Sequence, residues 1–226
     1  MSESSSGNPS EPNQPGREPW RHVVLLGDVL LDAYRGIDKS PGKFEDDVLP
    51  RTSNWKLSVV SFDQIKREGL SLALNPDATH AMIFIEGNHA IEQSGLLEDT
   101  ADPSTRALAH LSAAADDFEH KLDRLIQVAQ AARLITMVCT IFLPDYRDAA
   151  RQRIACAALA IFNDRITRRA AQSRLALIDL RLTCNESEDY DKPTLLSKRG
   201  VQKVAGVIRY AMLELDVGAR RTEVFF

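Results

Sequence analysis

Three short stretches carry side chains that could do chemistry: Gly27-Asp28-Val29, Ser61-Phe62-Asp63-Gln64 and Glu86-Gly87-Asn88-His89. Each closes an apolar run, the place where a buried strand delivers a loop to a site. His89, next to Asn88, could act as a general base towards water. With Asp28 or Glu86 beside it, His89 could also hold a metal, and the plainer alternative is a surface histidine. No further ligand converges by spacing, so neither a metal nor a cofactor is expected. Ser61 and Ser94 offer hydroxyls without a sequence-adjacent base, and serines at loop ends usually serve as turn or cap residues.

The remaining nucleophiles and bases are less promising. Of five histidines, none follows His120. His22 and His80 begin apolar runs, on the edge opposite to the loops, while His110 and His120 sit within one helical pattern. The three cysteines, Cys139, Cys156 and Cys184, are odd in number and have no C-x-x-C spacing, which argues against a disulfide framework or a zinc site. Cys139 and Cys156 lie in apolar stretches, as small hydrophobes do.

These loops act together only if the fold brings the run ends to one edge. Four apolar runs, at 22–27, 80–87, 134–142 and 175–180, and a weaker one at 56–62, lack polar alternation and so suit parallel strands covered on both faces. Helical periodicity fills roughly 64–74, 104–132, 146–173 and 197–215. In the second of these, Leu108, Leu111, Ala115, Phe118, Leu122, Leu125 and Val128 recur at spacings of three and four, a stripe that buries one face. Strands alternating with helices imply right-handed crossovers and a doubly wound sheet with its loops at the carboxyl edge.

Hydrophobic residues make up 44% and charged residues 27% of the 226, enough apolar material for one core. A net charge of −4 supplies no field to gather nucleic acid. No run reaches the ~20 apolar residues of a membrane span. Residues 1–19 are rich in Ser, Pro, Asn, Gly and Glu and read as a disordered tail. Residues 20–220 read as one α/β domain and 221–226 as a C-terminal tail, in a cytoplasmic protein.

The order of these motifs resembles that of the SGNH (GDSL-type) hydrolases. In that family Gly-Asp-Ser follows strand one, a Gly follows strand two, Gly-x-Asn-Asp follows strand three, and Asp-x-x-His stands near the last helix. The resemblance runs from about residue 22 to 208 and is strongest over 77–97, where Glu86-Gly87-Asn88-His89-Ala90 stands for Gly-Gly-Asn-Asp-Ala. It implies a flavodoxin-like three-layer sandwich around a five-stranded parallel sheet, with a cleft formed by Gly27, Asp28, Val29, Gln64, Gly87, Asn88, His89 and Leu195.

The departures fall on the chemistry. Val29 occupies the position of the nucleophilic serine and has no atom that can form an acyl-enzyme. Gln64 occupies the second-block Gly, and the Pro-x-x-x-Ser-x-x-Gly frame of Pro193, Ser197 and Gly200 puts the base histidine at or near Leu195. Asn88 is kept, and the resemblance implies that its amide donates to an oxyanion and that Asp28 holds the loop. The expectation is a pseudoenzyme, inactive as a serine esterase, whose former cleft has an apolar floor at Val29 and takes a small acylated or hydrophobic ligand or a protein partner. The alternatives are a hydrolase of ester or acyl bonds that uses His89 and Asn88 on a rearranged site, and an interaction protein whose contacts lie on its helix faces.

Overall fold

Val23, Val24, Leu25 and Leu26 are all buried, which places strand β1 (Arg21–Leu26) in the middle of a sheet covered on both sides. In the computed structural model of the chain, the described residues are 21–27, 48–49, 54–69, 75–85, 104–219 and 221–226. Among them, β1 pairs in parallel with β2 (Trp55–Val60) on one side and β3 (His80–Ile83) on the other. The sheet continues through β4 (Ile135–Cys139), β5 (Ala176–Ile178) and β8 (Val224–Phe225), giving the order β2-β1-β3-β4-β5-β8. Every pairing is parallel, so all the strands end on one edge.

Alternate residues of each strand feed two cores. Val24, Leu26, Ala81 and Ile83 pack with Phe118, Leu122, Leu159 and Phe162, from α2 (Ser104–Ala131) and α3 (Ala149–Ser173). Val23, Leu25, Met82 and Met137 pack with Val201, Val204, Ile208 and Ala211 of α5 (Lys198–Glu214) on the opposite face. The result is a three-layer α/β sandwich. Arg165 and Arg169 of α3 pair with Glu119 and Asp123 of α2, and Phe118 meets Phe162 edge to face at 5.1 Å, which fixes the two helices against each other.

Two expectations are corrected. The sheet has six strands among the described residues rather than five, and the sixth comes from the segment read as a C-terminal tail. A two-residue strand has no periodicity to read. The backbone holds it, with Leu177 and Asp179 donating their N–H groups to the carbonyls of Glu223 and Phe225 at 2.8 Å each, while the Phe225 ring packs on Tyr210. On α2, Leu108 shares the spacing of the apolar stripe but is exposed, so the packed stripe begins one turn later, at Leu111. Spacing places a residue on a face without saying where its neighbour ends.

Candidate functional site

At the carboxyl edge the chain leaves β1 through Gly27, which has φ 138°, a conformation that L side chains rarely adopt. Its N–H donates to Val60 at 3.1 Å, and Phe84 donates to Leu26 at 2.8 Å, so the strand end is tied to both neighbours. A Cβ added at Gly27 would lie 2.2 Å from the Phe84 carbonyl oxygen. The glycine is therefore required by close backbone approach, and Val29 stands two positions on in the sequence.

Strand β2 ends at Ser61, the N-cap of α1 (Phe62–Glu68). The Ser61 hydroxyl accepts the Gln64 N–H at 3.1 Å, and the Gln64 side chain reaches along the helix to Glu68 at 3.2 Å. The Gln64 backbone N–H and side-chain amide are thus each engaged locally, by Ser61 and Glu68. The same contact assigns Ser61 a capping role.

Leu195 lies in β7 (Leu195–Leu196), antiparallel to β6 (Tyr190–Lys192), and packs half-buried against the core. An Asp three positions before it would complete the family's Asp-x-x-His pattern, but that residue is Lys192, which is exposed and stands opposite Leu195 across the hairpin. The hairpin is fastened on several sides. Asp145 donates its N–H to the Pro193 carbonyl at 2.8 Å, and the Tyr190 hydroxyl lies 2.6 Å and 2.7 Å from the carbonyl oxygens of Leu143 and Cys184. Before it, in the turn Ser187–Asp189, the fully buried Asp189 accepts from Lys203 Nζ of α5 at 2.7 Å and from the Glu186 N–H at 3.1 Å. Gly200 lets α5 approach, since a Cβ there would sit 2.2 Å from the Asp189 carbonyl oxygen.

The ends of β4 and β5 add groups that sequence reasoning did not single out. Asp179 caps the short helix α4 (Leu180–Thr183), accepts from the Thr140 hydroxyl at 3.0 Å and pairs with the Arg181 guanidinium. The signal available was a carboxylate set inside the apolar run 175–180. Burial raises its pKa, but the Arg181 and Thr140 hydrogen bonds and the Arg181 charge outweigh that and leave it below 3.8. A carboxylate depressed on folding contributes stability above its unfolded pKa and loses it as the pH falls through the folded value. Urea midpoints followed from about pH 5 to about pH 2.5 should therefore fall less steeply in Asp179→Asn than in the parent. Parallel curves would remove Asp179 from the acid response.

No cysteine is poised as a nucleophile. Burial raises the Cys139 and Cys156 thiols, and burial with the Asp189 charge pushes Cys184 up to about 12. His22 and His80 lie at the amino ends of β1 and β3, away from the cleft, and His110 and His120 are exposed on α2. Gly27 thus follows the end of β1, Gln64 lies in the first turn of α1 directly after β2, and Leu195 lies on the hairpin before α5. Asp28, Val29, Gly87, Asn88 and His89 lie outside the described residues, as do Glu86 and Ser94. No described helix is long and apolar enough to cross a membrane.

No family model matches the chain, and no curated protein matches it. Solved structures do resemble it. An acetyl xylan esterase superposes with TM-score 0.60 at 16% identity, covering 86% of this chain and 100% of its own. An extracellular lipase from Streptomyces rimosus gives 0.52 at 15%, covering 77% and 85%. A GDSL-like lipase from Bacteroides thetaiotaomicron gives 0.51 at 13%, covering 86% and 88%. At such identities the likeness concerns the arrangement of the backbone, a parallel sheet flanked by helices. The chain has the SGNH (GDSL-type) hydrolase fold.

Proposed function

We propose that the chain is a catalytically degenerate SGNH-type protein that holds a small acylated or hydrophobic ligand in the former active-site cleft. The observation that carries this reading is Leu195. At the position that the resemblance gives the base stands an aliphatic side chain packed half-buried against the core, on a hairpin tied to the β4 loop and to α5. Val29 removes the nucleophile, Lys192 stands where the acidic partner would be, and the Gln64 N–H is engaged by Ser61. In a serine hydrolase, removing the nucleophile or the base alone costs about 10⁶ in kcat, and a donor left behind supplies only ~10³–10⁴ over water.

Exposure to short- and long-chain p-nitrophenyl esters and to a fluorophosphonate probe read by intact mass should give neither turnover nor an adduct above a heat-denatured control. Val29→Ser should remain inactive, because it restores a hydroxyl without a base. Substantial turnover in that single variant would sink the proposal. p-Nitrophenyl octanoate should still bind, as seen by saturation-transfer NMR, and Val29→Asp should weaken it about tenfold or more by placing a charge on an apolar floor. Wild-type turnover lost in His89→Ala would replace this reading with water activation at His89.

A further inference from the structure

Strand β8 closes the sheet at the end opposite β2, and among the described residues it pairs only with β5. Leu177 and Asp179 donate to the carbonyls of Glu223 and Phe225, the residues on either side of Val224. Successive strand residues turn their backbone groups to opposite sides, so the N–H and C=O of Val224 point out of the sheet. An open edge of this kind is a template for a further strand.

Apolar side chains flank that edge on both faces. Phe225 is buried against α5, and the Tyr210 ring meets it edge to face at 6.0 Å while staying 54% exposed. Val224 and Phe226 alternate with Phe225 and so project on the other face, where they are 50% and 70% exposed. Leu213, a turn along α5 from Tyr210, and Val217, in the turn before β8, are exposed as well. That turn is preset, since the Asp216 N–H donates to the Glu223 carboxylate at 3.1 Å and the Asp216 carboxylate accepts from the Gly218 N–H at 2.9 Å. The five side chains expose on the order of 500 Å² of apolar surface, close to the apolar part of the ~800 Å² that each partner contributes to a standard interface. Exposed Glu214 and Arg221 give the rim both signs, so the surface can meet itself without net repulsion.

We propose that the β8 edge is a dimer surface, to which a second copy of this chain adds its own β8 antiparallel, about a two-fold axis perpendicular to the sheet at Val224. Each Val224 then exchanges both backbone hydrogen bonds with the partner's Val224. A two-residue strand is too short a ladder for an extended peptide, but it is long enough for one such reciprocal pair. With the axis in this direction each face continues onto itself, so Tyr210 and α5 turn towards their counterparts on one face, and Val224 and Phe226 towards theirs on the other. The two hydrogen bonds fix the register, and the apolar contacts supply the affinity. Three strands separate β8 from β1, so the surface goes beyond the cleft and does not depend on it.

Sedimentation equilibrium of the full chain should show monomer and dimer in exchange, with a Kd at or below about 10 µM. Val224→Lys, which sets a charge on the edge, and Phe226→Asp should each weaken the dimer about tenfold or more. Leu108→Lys, which changes a comparably exposed leucine on α2, should leave it unchanged. Thermal melts at concentrations where every variant is a monomer check that the fold is kept. Phe226 lies beyond the last paired residue, so its variant decides the matter even if Val224→Lys loosens β8. A chain that stays monomeric up to about 100 µM, a dimer as tight in both edge variants as in the parent, or one weakened equally by Leu108→Lys would overturn the proposal.

Discussion

Gly27→Ala is expected to destabilise the protein by about 3–5 kcal/mol, lowering Tm by roughly 10 °C or preventing folding. Two effects combine at this residue. The backbone sits at φ 138°, and the new methyl would meet the Phe84 carbonyl oxygen at 2.2 Å. Because the Leu26 carbonyl already accepts from Phe84 and the Gly27 N–H donates to Val60, the strand end cannot shift without breaking pairing on one side. Gly69→Ala separates the two effects. Gly69 also has positive φ, at 78°, but nothing lies within 4 Å of its added Cβ, so its cost should be about 1 kcal/mol. Thermal melts of the two variants side by side make the comparison, and equal losses would mean that β1 and β3 separate easily at the site edge.

Lys203→Met should be the other severe change, at roughly 3 kcal/mol, because it leaves the Asp189 carboxylate fully buried without its nearest cation. Arg199 Nε stands 3.6 Å from the other carboxylate oxygen, but its side chain is half exposed and also pairs with Glu186. Arg199→Ala should therefore cost under about 1 kcal/mol. Urea unfolding of both variants tests the asymmetry. Should Arg199→Ala prove as damaging as Lys203→Met, the cation that matters at Asp189 would be Arg199.

Much of this architecture could be read in advance, because buried parallel strands leave a strong trace. The runs containing Val23–Leu26, Ala81–Ile83 and Met137–Cys139 are apolar without alternation, and each became a strand buried on both faces. Elements held by backbone contacts or single side chains left little trace. The strand Val224–Phe225 depends on two carbonyls, and the hairpin at 190–196 on a tyrosine hydroxyl, a proline carbonyl and a buried carboxylate, none of which has a period. Around the candidate site, the start of the last helix was legible, because the capping Ser197 and the close-approach Gly200 keep fixed positions there, and Leu195 falls on the hairpin just before it. That the Gln64 N–H would be taken by Ser61 was not visible, since a serine three residues upstream caps a helix only if the helix begins directly after it.

Strands of three and two residues cannot persist as an isolated hairpin. The hairpin bearing Leu195 owes its order to the β4 loop on one side and to the first turns of α5 on the other, so the three segments should exchange their amide hydrogens as one cooperative unit. Local opening of that wall would loosen the Pro193, Tyr190 and Lys203 contacts together.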